Sequence, residues 1–313
     1  MSLAEPAARG VRVLCAGIAV RDNVFRLSHF PSPGAKLRAQ EFVAVGGGCA
    51  ANAAVAIARL GGRATLASPL GGPHGADTTG DLILSELARE GVNAAACVRI
   101  PDATSPISAI LVDASGERLI VNHRDEKLSA ARIADPDRLA RDCDAVLADN
   151  RFADFVLPLL RAARSRGIPV VLDSDRPTEA SSELLTACTH VVFAADGLRA
   201  TAACEDLGDA LRVIARRSAA FLGVTDGANG VLWLEGGALH RMPAVTVDTV
   251  DTLGAGDVFH GAFALAVAEG RGEVDALRFA TTAAAIKCSR FGGVAGAPTR
   301  AEVDASLQAG APA

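Results

Sequence analysis

The stretch of this chain best suited to chemistry is a glycine turn that carries an aspartate. Residues 250–263 read VDTLGAGDVFHGAF, with Gly254, Ala255 and Gly256 at the turn and apolar residues at helical spacing after it. Residues of β type precede the turn at Ala244, Val245, Val247 and Val250. The pattern therefore predicts a strand, a glycine turn and a helix, whose free N–H groups would attract an anion close to the backbone.

Asp257 directly follows these glycines. A carboxylate there is poorly placed to bind phosphate but well placed to accept a proton from a neighbouring hydroxyl. An anion site with a base beside it indicates phosphoryl transfer to an alcohol. Aspartate is also a common cap at a helix start, and the spacing alone favours neither role over the other.

A second candidate site is a run of small residues nearer the start of the chain. The glycines at 46–48 open a predicted helix that ends at the glycines 61–62. Asn52, near its start, offers both a donor and an acceptor to hydroxyl groups. Tight helix packing would explain the glycines about as well. Cys49 is interpreted as a small packing residue, although a thiol at a helix start can be reactive.

The hydrophobic pattern predicts the scaffold for these motifs. The apolar run 11–20 is typical of a buried parallel strand, which would leave Asp22 at its carboxyl end, where ligands bind in open α/β sheets. A loop aspartate with a local capping role is the alternative. From residue 144 onward strands and helices alternate, which indicates a parallel sheet with helices on both faces.

Two segments depart from this alternation. Residues 25–45 contain a Pro-Ser-Pro-Gly turn and no helical period. Residues 106–113 and 118–123 alternate around an Ala-Ser-Gly turn at 114–116. Both segments are interpreted as hairpin-like excursions from the main sheet.

Composition excludes several classes of protein. The 313 residues carry a net charge of -5, which gives no footprint for nucleic acid or for an acidic membrane surface. No apolar run reaches membrane-spanning length and the first one lacks a basic flank, so we expect a cytoplasmic protein with a small-molecule substrate. The 7 cysteines form no CxxC and indicate neither a zinc site nor a disulfide framework.

The complete motifs resemble those of one enzyme family. The aspartate motif is similar to the C-terminal signature of the ribokinase-like (PfkB) carbohydrate kinases, and GGGCAANAAVAIARLGG (46–62) to the N-terminal one. The resemblance implies an α/β, ribokinase-like three-layer fold with a mostly parallel central sheet and a small β-sheet lid. It implies one kinase domain at 11–300, a lid formed by about 23–45 and 105–124, and terminal tails at 1–10 and 301–313.

The same resemblance implies roles for individual residues, with ATP and Mg²⁺ as cofactors. Asp257 would be the general base, and the amides of Gly254, Ala255 and Gly256 would hold the transferring phosphate. The residues facing the sugar would be Asp22, Gly47, Gly48 and Asn52. The residues facing ATP would be Thr225, Gly227, Gly230 and Thr281. Asp251 would contribute to a site for a monovalent cation such as K⁺.

One family motif is missing. Many members carry Asn-x-x-Glu, which organises magnesium and phosphates, where this chain has residues 194–197, Ala-Ala-Asp-Gly. The departure points to a ketohexokinase-like branch, in which magnesium is held chiefly by ATP and waters. Asp173 and Asp175, after another predicted strand, are candidates for holding magnesium through waters, although an ordinary capping loop is slightly favoured.

Within the family the chain is most similar to the sulfofructose kinases. The segments that carry this similarity, beside the aspartate motif, are GERLIVNH (116–123), VLADNR (146–151), VLDSD (171–175) and IKCSRFGG (286–293). In that group the residues at the positions of Lys36, Asn122 and Arg151 grip a sulfonate, for which an arginine fork, a lysine charge and a neutral donor are suited. Composition alone favours exposed loop charges at Lys36 and Arg151 and a strand-end hydrogen-bonder at Asn122.

The resulting prediction is an ATP-dependent kinase for the 1-hydroxyl of 6-deoxy-6-sulfofructose that forms a homodimer through its lid. A ketohexokinase or fructokinase acting on a neutral sugar is one alternative, and a ribokinase or nucleoside kinase is another. A catalytically silent, sugar-binding regulator is the alternative from a different class, because a fold does not fix a function.

Overall fold

Fourteen strands and ten α-helices make up the part of the chain that the computed structural model describes, residues 10–114, 117–179 and 181–310. The strands are β1 (Arg12–Ala16), β2 (Val20–Arg26), β3 (Glu41–Gly47), β4 (Arg63–Ala67), β5 (Pro69–Gly71), β6 (Val98–Ile100), β7 (Ile107–Val112), β8 (Arg118–His123), β9 (Ala145–Asp149), β10 (Val170–Ser174), β11 (His190–Ala194), β12 (Phe221–Thr225), β13 (Val231–Glu235) and β14 (Ala238–Met242). The helices are α1 (Cys49–Arg59), α2 (Thr78–Arg89), α3 (Pro136–Arg141), α4 (Ala153–Arg164), α5 (Glu183–Ala187), α6 (Ala195–Ala202), α7 (Leu207–Ala215), α8 (Ala255–Ala268), α9 (Glu273–Cys288) and α10 (Arg300–Ala309).

The main sheet has the strand order β14-β13-β12-β11-β10-β9-β1-β4. Every pair from β4 to β12 is parallel, and the β13-β14 hairpin closes one edge with antiparallel pairing. Successive residues of β1 enter opposite cores, since Val13 packs in one apolar cluster and Leu14 in the other. Helices therefore cover both faces of the sheet, as the apolar strands require.

A separate sheet of four strands, in the order β3-β2-β7-β8, corresponds to the predicted lid and is called the lid below. Strand β2 pairs with β3 in antiparallel and with β7 in parallel orientation, and β7-β8 is a hairpin. Residues 115–116 of the predicted hairpin turn lie outside the described residues. The expected fold class, a mostly parallel central sheet with a small separate sheet, is confirmed.

The first predicted strand is wrong in its extent. The run at 11–20 divides into β1 and β2, with Gly17 between them where the carboxylate of Asp149 fills the space that a side chain would need. Asp22 therefore lies inside the lid, paired with Val45 and Ser108, and not at the end of a central strand.

Two further boundaries are corrected. Residues 244–250 are irregular, because Pro243 ends the β14 hairpin edge and Val250, 58% exposed, has no core to face. The predicted tail at 301–313 is largely helix α10, which begins with a capping box of Thr299 and Glu302 and buries Val303. Residues 1–9 and 311–313 of the two predicted tails lie outside the described residues. Among the helices described, none is long and apolar enough to cross a bilayer.

Candidate active site

The start of helix α8 forms an open anion cradle. Gly254, its N-cap, has a φ of 76°, a left-handed conformation that glycine adopts without strain, and no side chain caps the helix. The amide of Ala255 donates to the Thr252 carbonyl (3.2 Å), whereas the amides of Gly254, Gly256 and Asp257 have no partner among the described residues. A methyl group added at Gly256 would meet no atom within 4 Å. The free donors thus face open space that fits a phosphate.

Asp257 lies in the first turn of α8 and is held by a neighbouring helix. Its Oδ2 accepts a hydrogen bond of 2.6 Å from Nδ2 of Asn52, in the first turn of α1. Burial raises the pKa of the Asp257 carboxyl, and the hydrogen bond from Asn52 offsets part of that rise. A fixed carboxylate with a raised pKa is suited to accept a proton from a sugar hydroxyl.

Two buried titratable residues, Asp173 and His260, lie close to Asp257. Sequence reasoning did not identify His260. Single ligand atoms of Cys49, Asp173 and Asp257 lie within 4.8 Å of one another. The pKa of Asp173 is raised by burial and by the negative charges of Asp175 and Asp257, which favours its protonated form. His260 lies 3.5 Å from Asp173, and its ring nitrogens lie 2.7 Å from the Gly256 carbonyl and 3.1 Å from the Val192 carbonyl. Its sequence signal was a polar residue on an otherwise apolar helix.

Asp22 reaches the same place from the lid. Its carboxylate occupies the space beside Gly47, where a side chain would collide with it. Burial raises the pKa of Asp22 to about 6, a hydrogen bond from Ser108 lowers it, and the charge of Asp257 raises it further. At Gly48, with φ of 93°, an added methyl would lie 2.5 Å from the Ile18 carbonyl oxygen. The structure thus brings Asp22, both glycines, Asn52 and Asp257 together.

The three residues expected to grip an anion lie in different surroundings. Arg151, after β9, forms a two-pronged ion pair with Asp175, in which Nη2 lies 2.6 Å from Oδ2, and Nη2 is 3.7 Å from the Cys49 sulfur. Asn122, on β8, donates to the Ser108 hydroxyl at 3.2 Å. Lys36 is exposed and makes no ion pair within the described ranges. Contacts therefore connect Arg151 and Asn122, but not Lys36, to the site.

Two arginines that sequence reasoning did not single out converge on Arg151. Arg124 donates to the Arg151 carbonyl at 2.8 Å, and its guanidinium lies 5.0 Å from the ring centre of Phe152. The pKa of Arg176 is lowered chiefly by the charge of Arg151 and also by that of Arg124, so the three groups share one region. Arg124 stands two residues after Asn122 and Arg176 directly after Asp175, which was the available sequence signal.

The predicted nucleotide residues fall at the end of β12 and on α9. Thr225 ends β12 and donates to the Phe193 carbonyl at 3.3 Å. Gly227 has a φ of 50° and faces open space, which fits a ligand close to the backbone, whereas a side chain at Gly230 would collide with the Met242 carbonyl. Thr281 is buried on α9, and its hydroxyl has no partner in the part of the chain that is described. Gly227 therefore leaves room for a ligand, and the Thr281 hydroxyl can still form a hydrogen bond.

The missing Asn-x-x-Glu motif has a steric explanation. On the predicted correspondence of residues 194–197 with this motif, Gly197, in the first turn of α6, would stand at the position of the glutamate. A methyl group there would lie 2.8 Å from the Ser174 carbonyl and 2.9 Å from the Asp175 carbonyl. Asp196 is fully exposed and pairs with Arg199 instead. The end of β10 thus fills the space of a glutamate, and the residues at 194–197 do not fit the family's magnesium ligands.

Asp251 does not fit the predicted site for a monovalent cation. Its Oδ2 lies 3.0 Å from the ammonium of Lys287, which also donates to the Asp251 carbonyl at 2.6 Å. The amides of Gly292 and Gly293 donate to the same Oδ2. Lys287 therefore already supplies the positive charge that a monovalent cation would bring to Asp251.

Comparison with known proteins gives one consistent result. The model of the pfkB family of carbohydrate kinases matches residues 12–300. A ribokinase of Bacillus subtilis is 28% identical, over 95% of this chain and 100% of the relative. An ATP-dependent ribose-1-phosphate kinase of Halopiger xanaduensis is 30% identical, over 95% of this chain and 98% of the relative. The crystal structure of a candidate ribokinase from Agrobacterium tumefaciens superposes with a TM-score of 0.91 at 38% identity, covering 96% of this chain and 98% of that one.

Proposed function

The chain belongs to the pfkB family of carbohydrate kinases, and we propose that its substrate is a sugar with an anionic group remote from the hydroxyl that is phosphorylated. Our specific candidate is 6-deoxy-6-sulfofructose, phosphorylated at its 1-hydroxyl. As a member of this family the protein is an ATP-dependent sugar kinase that uses Mg²⁺. What the family does not fix is the sugar.

One observation carries the proposal: a largely buried guanidinium that is connected to the base, among the described residues, only through Cys49. The side chain of Arg151 is only 13% exposed, and the Cys49 sulfur lies next to both Arg151 and the carboxylate of Asp257. Asp175 balances one guanidinium, while Arg124 and Arg176 contribute further positive charge. A neutral sugar has no use for such a group, whereas a sulfonate or phosphate suits the planar fork of arginine.

The remaining residues fit the chemistry of the transfer. Asp22 and Asn52 would hold sugar hydroxyls, and Gly47 and Gly48 allow the sugar close to the backbone. Asp257 would accept the proton as the hydroxyl attacks. ATP supplies the γ-phosphoryl group, with Mg²⁺ held by its phosphates and waters. The amides of Gly254, Ala255 and Gly256 would stabilise negative charge on that group, Ala255 after releasing its weak bond to Thr252.

Roles for the lid and the nucleotide residues complete the proposal. Asn122 and Lys36 would add donors to the anionic end when the lid closes over the sugar. Thr225, Gly227, Gly230 and Thr281 would face ATP, with Gly230 acting through the shape of its turn. The relative from Halopiger xanaduensis supports an anionic substrate, because its name states that it acts on a sugar phosphate.

We also propose that the lid forms a homodimer interface and that the enzyme acts in the cytoplasm. Phe42, Phe25, Leu111 and Leu119 form one row across the sheet, with Phe42 55% and Leu119 48% exposed. An apolar row of this kind is typical of a contact surface. Light scattering should give twice the chain mass for the wild type and the chain mass for Leu119→Glu; a monomeric wild type would contradict the interface.

The test of the substrate is a comparison of kcat/KM for 6-deoxy-6-sulfofructose, fructose 6-phosphate, fructose and ribose, because specificity is a ratio of these values. We expect the sulfosugar to be preferred by roughly 100-fold over fructose, as a bonded charge adds about 1.5 to 3 kcal/mol. Equal or better turnover of fructose or ribose would overturn the anionic substrate and favour a neutral-sugar kinase. A preference for fructose 6-phosphate would support an anionic substrate but would make its anionic group a phosphate and not a sulfonate.

A further inference from the structure

A lysine of helix α9 is buried in the core beside the loop that leads to the anion cradle. Lys287 has no exposed surface, and its ammonium donates to the Asp251 carbonyl (2.6 Å) and lies 3.0 Å from Asp251 Oδ2. Burial lowers the pKa of Lys287, and the charge of Asp251 opposes that change. A buried ammonium is tolerated when its partners replace water. Here the carbonyl oxygen and Oδ2 of Asp251 do so.

Asp251 connects this lysine to two pieces of backbone. Its Oδ1 accepts the Leu253 amide at 2.8 Å, and its Oδ2 accepts the amides of Gly292 (3.1 Å) and Gly293 (2.9 Å). The Lys287 ammonium thus compensates the charge of a carboxylate that organises the loop before α8 and the turn after α9.

This arrangement lies next to the catalytic backbone. Leu253 directly precedes Gly254, the N-cap of α8, and packs against Gly293. An added methyl at Gly254 would lie 3.5 Å from the Val294 amide and 3.7 Å from Asn52 Nδ2. A movement of the Asp251 carboxylate would therefore shift Gly254, the start of the cradle, which is only three residues further along the chain.

We propose that the ammonium of Lys287 is a built-in monovalent cation, which holds the loop of Asp251 in place and makes the kinase independent of K⁺. The proposal goes beyond the proposed function, since it holds for any sugar. An ammonium and a monovalent metal ion both neutralise a carboxylate and take oxygen ligands. A second cation at Asp251 would meet the ammonium at contact distance, where like charges repel. Lys287 is thus a positioning residue that acts through Asp251.

The first arm of the test uses the wild type. Turnover is measured with ATP as its Tris salt and the best sugar of the panel, in tetramethylammonium chloride and then with K⁺ or Na⁺ replacing it at constant ionic strength. We expect kcat and KM to stay the same. A severalfold rise in kcat with K⁺ that tetramethylammonium does not give would overturn the proposal without any variant.

The second arm removes the ammonium in two ways. Lys287→Ala leaves space and an uncompensated Asp251, which lines a cavity of about 340 Å³. Lys287→Met removes the charge but fills the space. We expect K⁺ to restore activity to Lys287→Ala and to raise its unfolding temperature, with little effect on Lys287→Met or the wild type, because an ion that binds the folded state stabilises it.

The unfolding measurement needs no sugar, so it separates this inference from the proposed substrate. Binding of Tl⁺, followed by ²⁰⁵Tl NMR, gives a direct readout of the ion, expected for Lys287→Ala alone. A folded Lys287→Ala whose activity and unfolding temperature both ignore K⁺ would reduce Lys287 to an ordinary ion pair and overturn the proposal. If that variant does not fold, the wild-type titration still decides.

Discussion

The surroundings of Asp257 and of Arg151 both lie at the carboxyl ends of the parallel strands, yet different parts of the chain build them. Around Asp257 the contacts come from a packed helix, because Asn52 of α1 donates to its carboxylate and Cys49 at the start of α1 lies next to it. Around Arg151 they come from loops after β9 and β10 and from the segment after β8 of the lid.

The two regions differ in how many of their groups are already in place before a substrate binds. Helix α8 fixes the amides of the cradle, and Asn52 of α1 holds the Asp257 carboxylate, so these groups are in place in the absence of the sugar. The proposed site for the anionic end of the sugar depends on an arginine that is bonded to Asp175 and on lid residues that are exposed. We therefore expect changes around Asp257 to alter kcat, and changes around Arg151 to alter discrimination between sugars.

The largest effect is expected for Asp257→Asn. Loss of the base should reduce kcat roughly 10² to 10⁴-fold, the usual contribution of general base catalysis. Sugar binding measured by calorimetry should change little, because the amide oxygen of asparagine can still accept from Asn52. A kcat within a few-fold of the wild type would show that Asp257 is not the base, and with it the contrast between the two regions would disappear.

A smaller and selective effect is expected for Arg151→Ala. The kcat/KM for 6-deoxy-6-sulfofructose should fall roughly 10- to 100-fold, since hydrogen bonds to a charged group are worth about 1.5 to 3 kcal/mol. The value for fructose should stay nearly constant if the arginine serves the anion alone. An equal loss for both sugars would indicate that Arg151 only supports Asp175, and an unfolding curve for the variant separates that outcome from general instability.

Lys36→Ala removes the same charge from the lid, where the side chain is exposed and would reach the anion only when the lid closes. Its effect on the sulfosugar should be at most about fivefold, the range of an exposed ion pair. A loss as large as that of Arg151→Ala would show that the lid carries Lys36 into the closed site.

A further effect, without any substitution, is a pH dependence that comes from Asp22. With its pKa raised to about 6, the carboxyl takes up a proton in the folded enzyme below that pH and no longer accepts from two sugar hydroxyls. The sugar KM should rise between pH 7 and pH 5, by roughly tenfold at most, and less so in Asp22→Asn. A wild-type KM that is constant over this range would exclude ionised Asp22 as a sugar ligand.

The same shift affects stability with a defined sign. The folded pKa of about 6 lies above the ordinary value of 3.8, so stability from the protonated form is present below pH 4 and is lost as the pH rises through 6. Two pKa units correspond to about 3 kcal/mol. The free energy of unfolding, relative to Asp22→Asn, should fall by about 2 kcal/mol of this total from pH 4 to pH 6.

Sequence reasoning predicted the parallel sheet and the start of α8 because apolar periodicity and glycines are local signals. It placed Asp22 wrongly because an unbroken apolar run does not show that a chain leaves one sheet for another at Gly17. It did not pair Asp251 with Lys287, which are 36 residues apart and joined only by tertiary packing. Local sequence patterns predicted the cradle, whereas the residues that pack around it could be identified only from the fold.

The buried carboxylate of Asp149, beside Gly17, has a consequence for how the site forms. It accepts the amides of Ile18 (2.7 Å), Ala50 (3.2 Å) and Arg151 (2.9 Å), and so joins the ends of β1 and β9 to the start of α1. Two of these bonds span 131 and 99 residues, so they close only after nearly the first half of the chain, through β9, has come together. We expect a growing chain on the ribosome to have no competent sugar site until β9 has emerged, which makes this stage of synthesis the most exposed to misfolding.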